Sequence, residues 1–130
     1  MKTVILAGGY GSRIPEYTDK IPKPMIKVGG VPLLTHIMRI FKSYGYDEFL
    51  IAAGYKKKVI ENYYKDTNEF KKLKIVDTGK FTMTGGRILK LKKFFSKDEV
   101  FFMTYGDGLC DINLNNLEKF HKKHKNLASV

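Results

Sequence analysis

Three glycine-rich segments contain the residues whose types and spacing could do chemistry. They are residues 8–13 (GGYGSR), 84–87 (TGGR) and 105–108 (YGDG). Consecutive glycines expose backbone N–H groups that bind anions, and in the first segment a hydroxyl (Ser12) and a guanidinium (Arg13) follow. A tight turn after a strand would explain one or two glycines but not the Ser12 and Arg13 that follow them. The combination fits a polyphosphate.

Neither of the two common phosphate-binding motifs matches the first segment. A P-loop ends in Gly-Lys-Ser/Thr, which occurs nowhere in the chain. The dinucleotide fingerprint requires a third glycine where Ile14 stands. It also requires an acid after the second strand, where the chain has Ala53-Gly54. We therefore expect a nucleotide site of another type.

Two charged side chains outside the first segment are further candidates. Lys23 lies between Pro22 and Pro24, which restrict the local backbone and so lower the entropy lost in holding the lysine in place. Such a lysine is often incidental, but the glycine segment upstream favours an ammonium that faces phosphate. Asp107 lies between two glycines and is either a turn former or a ligand for Mg²⁺. Its expected place beside the other glycine segments favours the metal.

The remaining chemically active residues carry weaker signals. His36, His121 and His124 lack metal-ligand spacing, and positions on amphipathic helices account for them. Cys110 has no activating partner in the sequence, so we predict a small buried residue. The lysine groups 56–58 and 122–123 lack interleaved exposed aromatics, which makes them weak evidence for nucleic-acid binding.

The elements that position these segments alternate between strand and helix, which predicts an α/β fold. The expected form is a Rossmann-like three-layer α/β/α sandwich with a mostly parallel sheet. Ligands of open α/β sheets bind beyond the carboxyl ends of the strands, so the three segments should converge. Apolar runs predict strands at 3–7, 48–53, 73–77 and 100–104; helical periodicity predicts helices at 32–44, 56–64, 86–95 and, capped by Asn113, 114–121.

Composition narrows the class of protein. A chain of 130 residues that is 43% hydrophobic fits one globular domain. Its single cysteine cannot form an internal disulfide, so we expect a reducing cytoplasm, and no apolar run approaches the roughly 20 residues that cross a membrane. The formal net charge is +11, but only three of the 24 basic residues are arginine. Such a large excess of lysine over arginine indicates a solvated surface rather than a nucleic-acid or membrane partner.

The ordered motifs resemble those of a known family. Residues 6–14 (LAGGYGSRI), 22–25 (PKPM) and 106–107 (GD) resemble the signature of the sugar-nucleotide pyrophosphorylases. Residues 76–79 (VDTG), 83–87 (MTGGR) and 104–108 (TYGDG) resemble more narrowly the glucose-1-phosphate cytidylyltransferases. The similarity covers nearly the whole chain. It implies a fold of the nucleotide-diphospho-sugar transferase type.

This resemblance implies a reaction and a set of site residues. CTP and α-D-glucose 1-phosphate would give CDP-glucose and pyrophosphate with Mg²⁺ as cofactor, and the full-length protein would be a homo-oligomer. Arg13 and Lys23 are the implied catalytic residues, and Asp107 is the implied metal ligand. The implied nucleotide-binding residues are Leu6, Ala7, Gly8, Gly9, Gly11, Ser12, Arg13, Lys23, Thr84, Gly85, Gly86, Arg87 and Asp107.

The chain departs from the family pattern in several places. Ser12 stands where the family usually has threonine, and the region at 65–76 is shorter than in the cytidylyltransferases. The resemblance implies a C-terminal half that would supply a second metal ligand and most sugar contacts, and we expect it to lie outside these residues, since an apolar run has just begun at 127–130. We therefore expect residues 1–130 to be the nucleotide-binding part of a single nucleotidyltransferase domain and to be inactive alone.

Three alternatives stay open on the sequence. The first is a related nucleotidyltransferase that uses UTP, dTTP or GTP, or another phosphorylated substrate. The second is a non-catalytic module that binds a nucleotide without turnover. The third is a basic protein that binds nucleic acid, which would show strong salt dependence.

Overall fold

A parallel sheet of four strands organises the chain. The computed structural model describes residues 1–10, 16, 19–124 and 126–130. The sheet strands are β1 (Thr3–Ala7), β4 (Glu48–Ala53), β5 (Lys72–Asp77) and β6 (Phe102–Tyr105), in the order β5-β4-β1-β6. Strands β2 (Lys27–Val28) and β3 (Val31–Pro32) form a separate antiparallel pair. Because the four sheet strands are parallel, their carboxyl ends lie at one edge.

Helices join the strands. They are α1 (Leu33–Ser43), α2 (Lys57–Tyr64), α3 (Thr84–Leu91) and α4 (Leu114–His124), with 3-10 turns at Lys23–Met25 and Lys92–Phe94. None of the helices in the described ranges has the length and hydropathy of a membrane span. The predicted cap of the last helix is confirmed, since the Asn116 N–H donates to Asn113 Oδ1 at 3.0 Å.

The helices cover both faces of the sheet, which confirms the predicted three-layer α/β/α sandwich. On one face α1, α2 and α4 pack over side chains that include Ile5 and Phe49. On the other face Leu91 of α3 packs in a smaller cluster with Val4 and Leu50. Strand β1 is buried along its whole length because both of its faces are covered.

The helix and the strand nearest the glycine segments have other bounds than predicted. The helix expected at 86–95 begins at Thr84 and ends at Leu91, because the glycine pair lies inside its first turn, where the Arg87 N–H donates to Met83 O at 3.0 Å. The strand expected at 100–104 is β6, which begins at Phe102 and ends at Tyr105. It begins two residues later than predicted because its pairing with β1 starts where the Phe102 N–H donates to Lys2 O.

The apolar run at 127–130 forms no strand. Its Leu127 and Val130 side chains are fully exposed. None of the strand pairings in the described part of the chain includes these residues.

The two leucines of α3 give a matched test of the smaller cluster. Leu91 is fully buried, whereas Leu89 on the same helix is 69% exposed. We expect Leu91→Ala to lower the free energy of unfolding by about 2–5 kcal/mol, because it removes buried methyl groups and leaves a cavity. Leu89→Ala should change it by less than about 0.5 kcal/mol. Urea unfolding measures both, and equal effects would contradict the packing described.

Candidate active site

Described residues of all three glycine-rich segments line one cavity at the carboxyl edge of the sheet, as predicted. The cavity has a volume of about 560 Å³ and an open mouth. Loops after β1, β5 and β6 and the 3-10 turn at Lys23–Met25 form its walls. The lining residues are Leu6, Ala7, Gly8, Gly9, Lys23, Pro24, Thr82, Met83, Thr84, Arg87, Tyr105 and Asp107.

The predicted site residues fall into three groups. Eight of them line the cavity: Leu6, Ala7, Gly8, Gly9, Lys23, Thr84, Arg87 and Asp107. Gly85 and Gly86 lie in the first turn of α3 and are not part of its lining. Gly11, Ser12 and Arg13 lie outside the described residues. The roles of all these residues toward a nucleotide stay predictions.

Lys23 and Asp107 form an ion pair at the cavity wall. Lys23 Nζ donates to Asp107 Oδ2, and the two side chains are 34% and 31% exposed. Lys23 opens a 3-10 turn in which the Met25 N–H donates to Pro22 O at 2.8 Å. The buried Met25 side chain fixes this turn on the core. The turn therefore presents its lysine toward the carboxylate that follows β6.

Gly106 allows this approach because it has no side chain. A Cβ at Gly106 would lie 2.7 Å from Cγ of Pro24, which is closer than atoms in contact can come. The Gly106 N–H also donates to Leu6 O at 3.0 Å, which fixes the loop on β1. Only glycine lets the ring of Pro24 pack directly on this backbone.

The buried side chain of Arg87 ties three strand ends together. Its Nη1 donates to Thr78 Oγ1 at 2.6 Å, to Gly79 O at 2.8 Å and, more weakly, to Ala53 O at 3.4 Å. Its Nη2 donates to Gly8 O at 2.8 Å. These acceptors follow or end β5, β4 and β1. The guanidinium thus sets the spacing of the loops that form the cavity.

Burial also affects the ionisation of this guanidinium and the choice of residue beside it. Loss of water contact lowers the pKa of Arg87, and the negative charge of Asp77 opposes that shift. A Cβ at Gly8 would lie 2.0 Å from Arg87 Nη1, and one at Gly54 would lie 2.6 Å from the same atom. The guanidinium thus fills the space that a side chain at Gly8 would take, and at Gly54 the backbone oxygen of Gly79, 2.6 Å from the same Cβ position, fills it as well.

Sequence reasoning missed several residues of this site. Thr82, Met83, Pro24 and Tyr105 line the cavity but were not among the predicted binding residues. The signal for them was their position within or beside the motifs at 22–25, 83–87 and 104–108. Thr78, which accepts a hydrogen bond from Arg87, had no signal of its own beyond its place in the 76–79 motif.

The weaker candidates lie away from the cavity. Cys110 is exposed, so the prediction of a buried cysteine is wrong. It lies in an irregular segment between β6 and α4 whose neighbouring side chains are exposed too. His36 contacts Val28 O at 2.9 Å. In the described ranges no three His, Cys, Asp or Glu side chains are grouped as metal ligands.

Comparison with known proteins identifies the family. Residues 2–130 match the family described as "Nucleotidyl transferase". The chain belongs to the nucleotidyl transferase family. A nucleotidyl transferase is expected to bind its nucleotide at the carboxyl edge of the sheet, where the cavity lies.

Two curated relatives are similar over the whole chain. One is a Bacillus subtilis protein named "Probable glucose-1-phosphate cytidylyltransferase", which is 40% identical over 151 residues. The other is the glucose-1-phosphate cytidylyltransferase of Salmonella typhimurium, 37% identical over 152 residues. Both alignments cover 100% of this chain and 59% of the relative. The chain therefore spans little more than half the length of the curated relatives it matches.

A solved structure shares the fold. The crystal structure of HddC from Yersinia pseudotuberculosis, complexed with GMP-PN, superposes with a TM-score of 0.79 at 27% identity. The match covers 92% of this chain and 53% of HddC. The fold of this chain thus superposes on about half of the HddC chain.

The contact between Gly8 and Arg87 predicts that a methyl group added at Gly8 destabilises the fold, whereas one added at Gly85 does not. Gly8→Ala should lower the free energy of unfolding by about 1–3 kcal/mol, because the guanidinium cannot move without breaking its hydrogen bonds. Gly85→Ala is the control: its Cβ meets nothing within 4 Å among the described residues, and alanine favours the helix. Urea unfolding compares them. In an Arg87→Met background the Gly8→Ala cost should shrink, and an undiminished cost would contradict the steric explanation.

Proposed function

We propose that the protein, in its full length, transfers the cytidylyl group of CTP to α-D-glucose 1-phosphate and releases pyrophosphate. The observation that carries this proposal is the meeting of Lys23 and Asp107 at a cavity bordered by the glycines after β1. An ammonium, a carboxylate and exposed backbone suit a bound triphosphate. The choice of CTP and glucose rests on the curated relatives at 37–40% identity.

The chemistry is an in-line substitution at phosphorus. An oxygen of the sugar phosphate bonds to the α-phosphorus of CTP while the bond from that phosphorus to the bridging oxygen of the β-phosphate breaks. Pyrophosphate carries the released electron pair. The attacking phosphate is already ionised at neutral pH, so the protein needs no general base. Its task is to bring together two polyanions that repel each other.

Lys23 supplies positive charge where negative charge shifts during transfer. Its ammonium stands at the cavity wall on a turn that two prolines restrict. A donor held in advance at this place costs little reorganisation when the reaction occurs, which is the main source of electrostatic catalysis. Gly8 and Gly9 also line the cavity, and the exposed backbone of Gly9 is available to the nucleotide.

The residues present fit a magnesium ion at Asp107. Its carboxylate is part of the cavity wall and is 31% exposed, and Mg²⁺ prefers one or two carboxylates together with phosphate oxygens and water. Asp107 would hold the ion. When bound, the ion would neutralise phosphate charge. Arg13 remains a predicted partner of the phosphates.

We extend the proposal to the setting of the enzyme. The single cysteine cannot form an internal disulfide, which favours the reducing cytoplasm as its location. A homo-oligomer is proposed for the full-length protein on the resemblance to the cytidylyltransferases.

Two substitutions test the catalytic assignment. In the full-length protein Lys23→Ala and Asp107→Ala should each lower kcat by about 10²-fold or more, because each removes a charge from the reacting phosphates. Lys122→Ala removes another lysine that pairs with a carboxylate, that of Glu118, but lies outside the cavity, and it should leave kcat unchanged. The measurement is pyrophosphate release from CTP and glucose 1-phosphate. Turnover that survives both cavity substitutions would refute the catalytic roles of Lys23 and Asp107.

A nucleotide panel tests the base. Thermal unfolding of the full-length protein with Mg²⁺ and CTP, UTP, dTTP or GTP should show the largest rise in Tm with CTP. A ligand at 100 times its Kd stabilises the folded state by about 2.7 kcal/mol, so differences in affinity are measurable. A larger rise with another nucleotide would refute CTP as the substrate and leave nucleotidyl transfer intact.

A further inference from the structure

The ion pair between Lys23 and Asp107 raises a conflict within the proposed site. Lys23 Nζ donates to the same carboxylate that is proposed to hold the metal ion. Both groups are about one-third exposed and line the cavity, so an incoming ligand can reach them. An ammonium has three donors and no acceptor, so its hydrogen bond occupies a lone pair of the carboxylate oxygen.

The backbone next to Lys23 and the backbone next to Asp107 hold these two groups close together. Pro24, next to Lys23, packs on Gly106, next to Asp107, so closely that a Cβ at Gly106 would lie 2.7 Å from Pro24 Cγ. Gly106 is held on β1 through Leu6 O, and the turn of Lys23 is held by its buried Met25. The pair therefore follows from how the two loops pack and does not depend on one chance orientation of a long side chain.

We propose that Lys23 and a divalent cation compete for Asp107. In the ligand-free protein the ammonium occupies the carboxylate, and cation binding releases Lys23 toward the nucleotide phosphates. This inference rests on the metal role that the proposed function gives to Asp107. The physical reason is charge: a dication and an ammonium on the same carboxylate repel each other, so each weakens the binding of the other.

Competition at Asp107 couples the cation to the nucleotide. A phosphate that draws Lys23 away frees the carboxylate, and a cation that displaces Lys23 frees the ammonium for phosphate. Because coupling of two equilibria is reciprocal, each ligand raises the affinity of the other by the same factor. This coupling adds to any direct bond between the cation and the phosphates.

Cation binding without nucleotide tests the proposal directly. Binding of Mn²⁺ to the full-length protein is measured from the electron paramagnetic resonance signal of the free ion. Lys23→Met removes the ammonium, and we expect roughly two- to fivefold tighter Mn²⁺ binding, the range for loss of a partly exposed ion pair. Lys23→Arg keeps a cation on the turn and should bind Mn²⁺ like the unaltered protein. Asp107→Asn should lose this site.

The outcomes separate this proposal from the proposed function. Unchanged or weaker Mn²⁺ binding by Lys23→Met overturns the competition. Unchanged binding by Asp107→Asn also overturns it, because the cation then lies elsewhere. Neither result depends on turnover. The proposed function would still stand if the unaltered protein forms CDP-glucose. Conversely, the expected binding with no product from any nucleotide would refute the function and leave the competition standing.

Chemical labelling of the unaltered protein supplies a second test that needs no variant. The rate at which acetic anhydride modifies Lys23 is followed by peptide mass spectrometry with and without Mg²⁺. We expect faster modification with Mg²⁺ because the amine leaves its carboxylate partner. Lys122, paired with Glu118 at 2.7 Å on α4, is the matched control, and NaCl at equal ionic strength controls for screening. No change at Lys23, or an equal change at Lys122, would overturn the proposal.

Discussion

The buried guanidinium of Arg87 is the interaction on which the geometry of the site depends. It donates to oxygens that belong to or follow three strands, among them Gly8 O at 2.8 Å and Gly79 O at 2.8 Å. Hydrogen bonds to a charged group contribute about 1.5–3 kcal/mol each, so loss of this donor would remove several strong bonds between the strand ends. The planar fork of arginine can reach several acceptors at once, which the point charge of lysine cannot do.

Packing and site geometry are linked through α3. Arg87 and Leu91 are four residues apart, so they lie on the same face of the helix. Leu91 packs against Val4 and Leu50 in the interior, while Arg87 reaches the strand ends one turn earlier. The hydrophobic contact therefore fixes the helix that carries the guanidinium. A change in the position of α3 would therefore disturb the bonds of Arg87 to Gly8 O and to Gly79 O at the same time.

The segment between β5 and α3 shows how local charges hold one wall of the cavity. The Gly79 N–H donates to Asp77 Oδ1 at 2.8 Å, and this bond, together with the ammonium of Lys57, lowers the pKa of Asp77. Lys90 Nζ donates to Thr78 O at 2.9 Å. Gly79 adopts a φ of +90°, which a side chain would disfavour. A few lysines of this chain thus stabilise the turns that shape the site.

The sequence by itself determined the fold class, the four parallel strands and the convergence of the three glycine segments. Buried apolar runs and helical periodicity are local patterns, and parallel strands must bring their carboxyl ends to one edge. The motifs also indicated the family that the comparisons show. Boundaries near glycines were less predictable: the helix was expected to begin at Gly86 and begins at Thr84, so that Gly85 and Gly86 both lie inside α3 despite the low helix propensity of glycine.

Only the tertiary structure decided what the charged side chains contact. Arg87 was predicted beside the nucleotide, and the structure shows its guanidinium bonded to strand ends, while Lys23 and Asp107, 84 residues apart, form a pair. Cys110 proved exposed because its loop lies on the surface. Burial and pairing of a side chain depend on residues distant in the chain. Local sequence patterns do not encode those distances, which arise only when the helices and loops pack on the sheet.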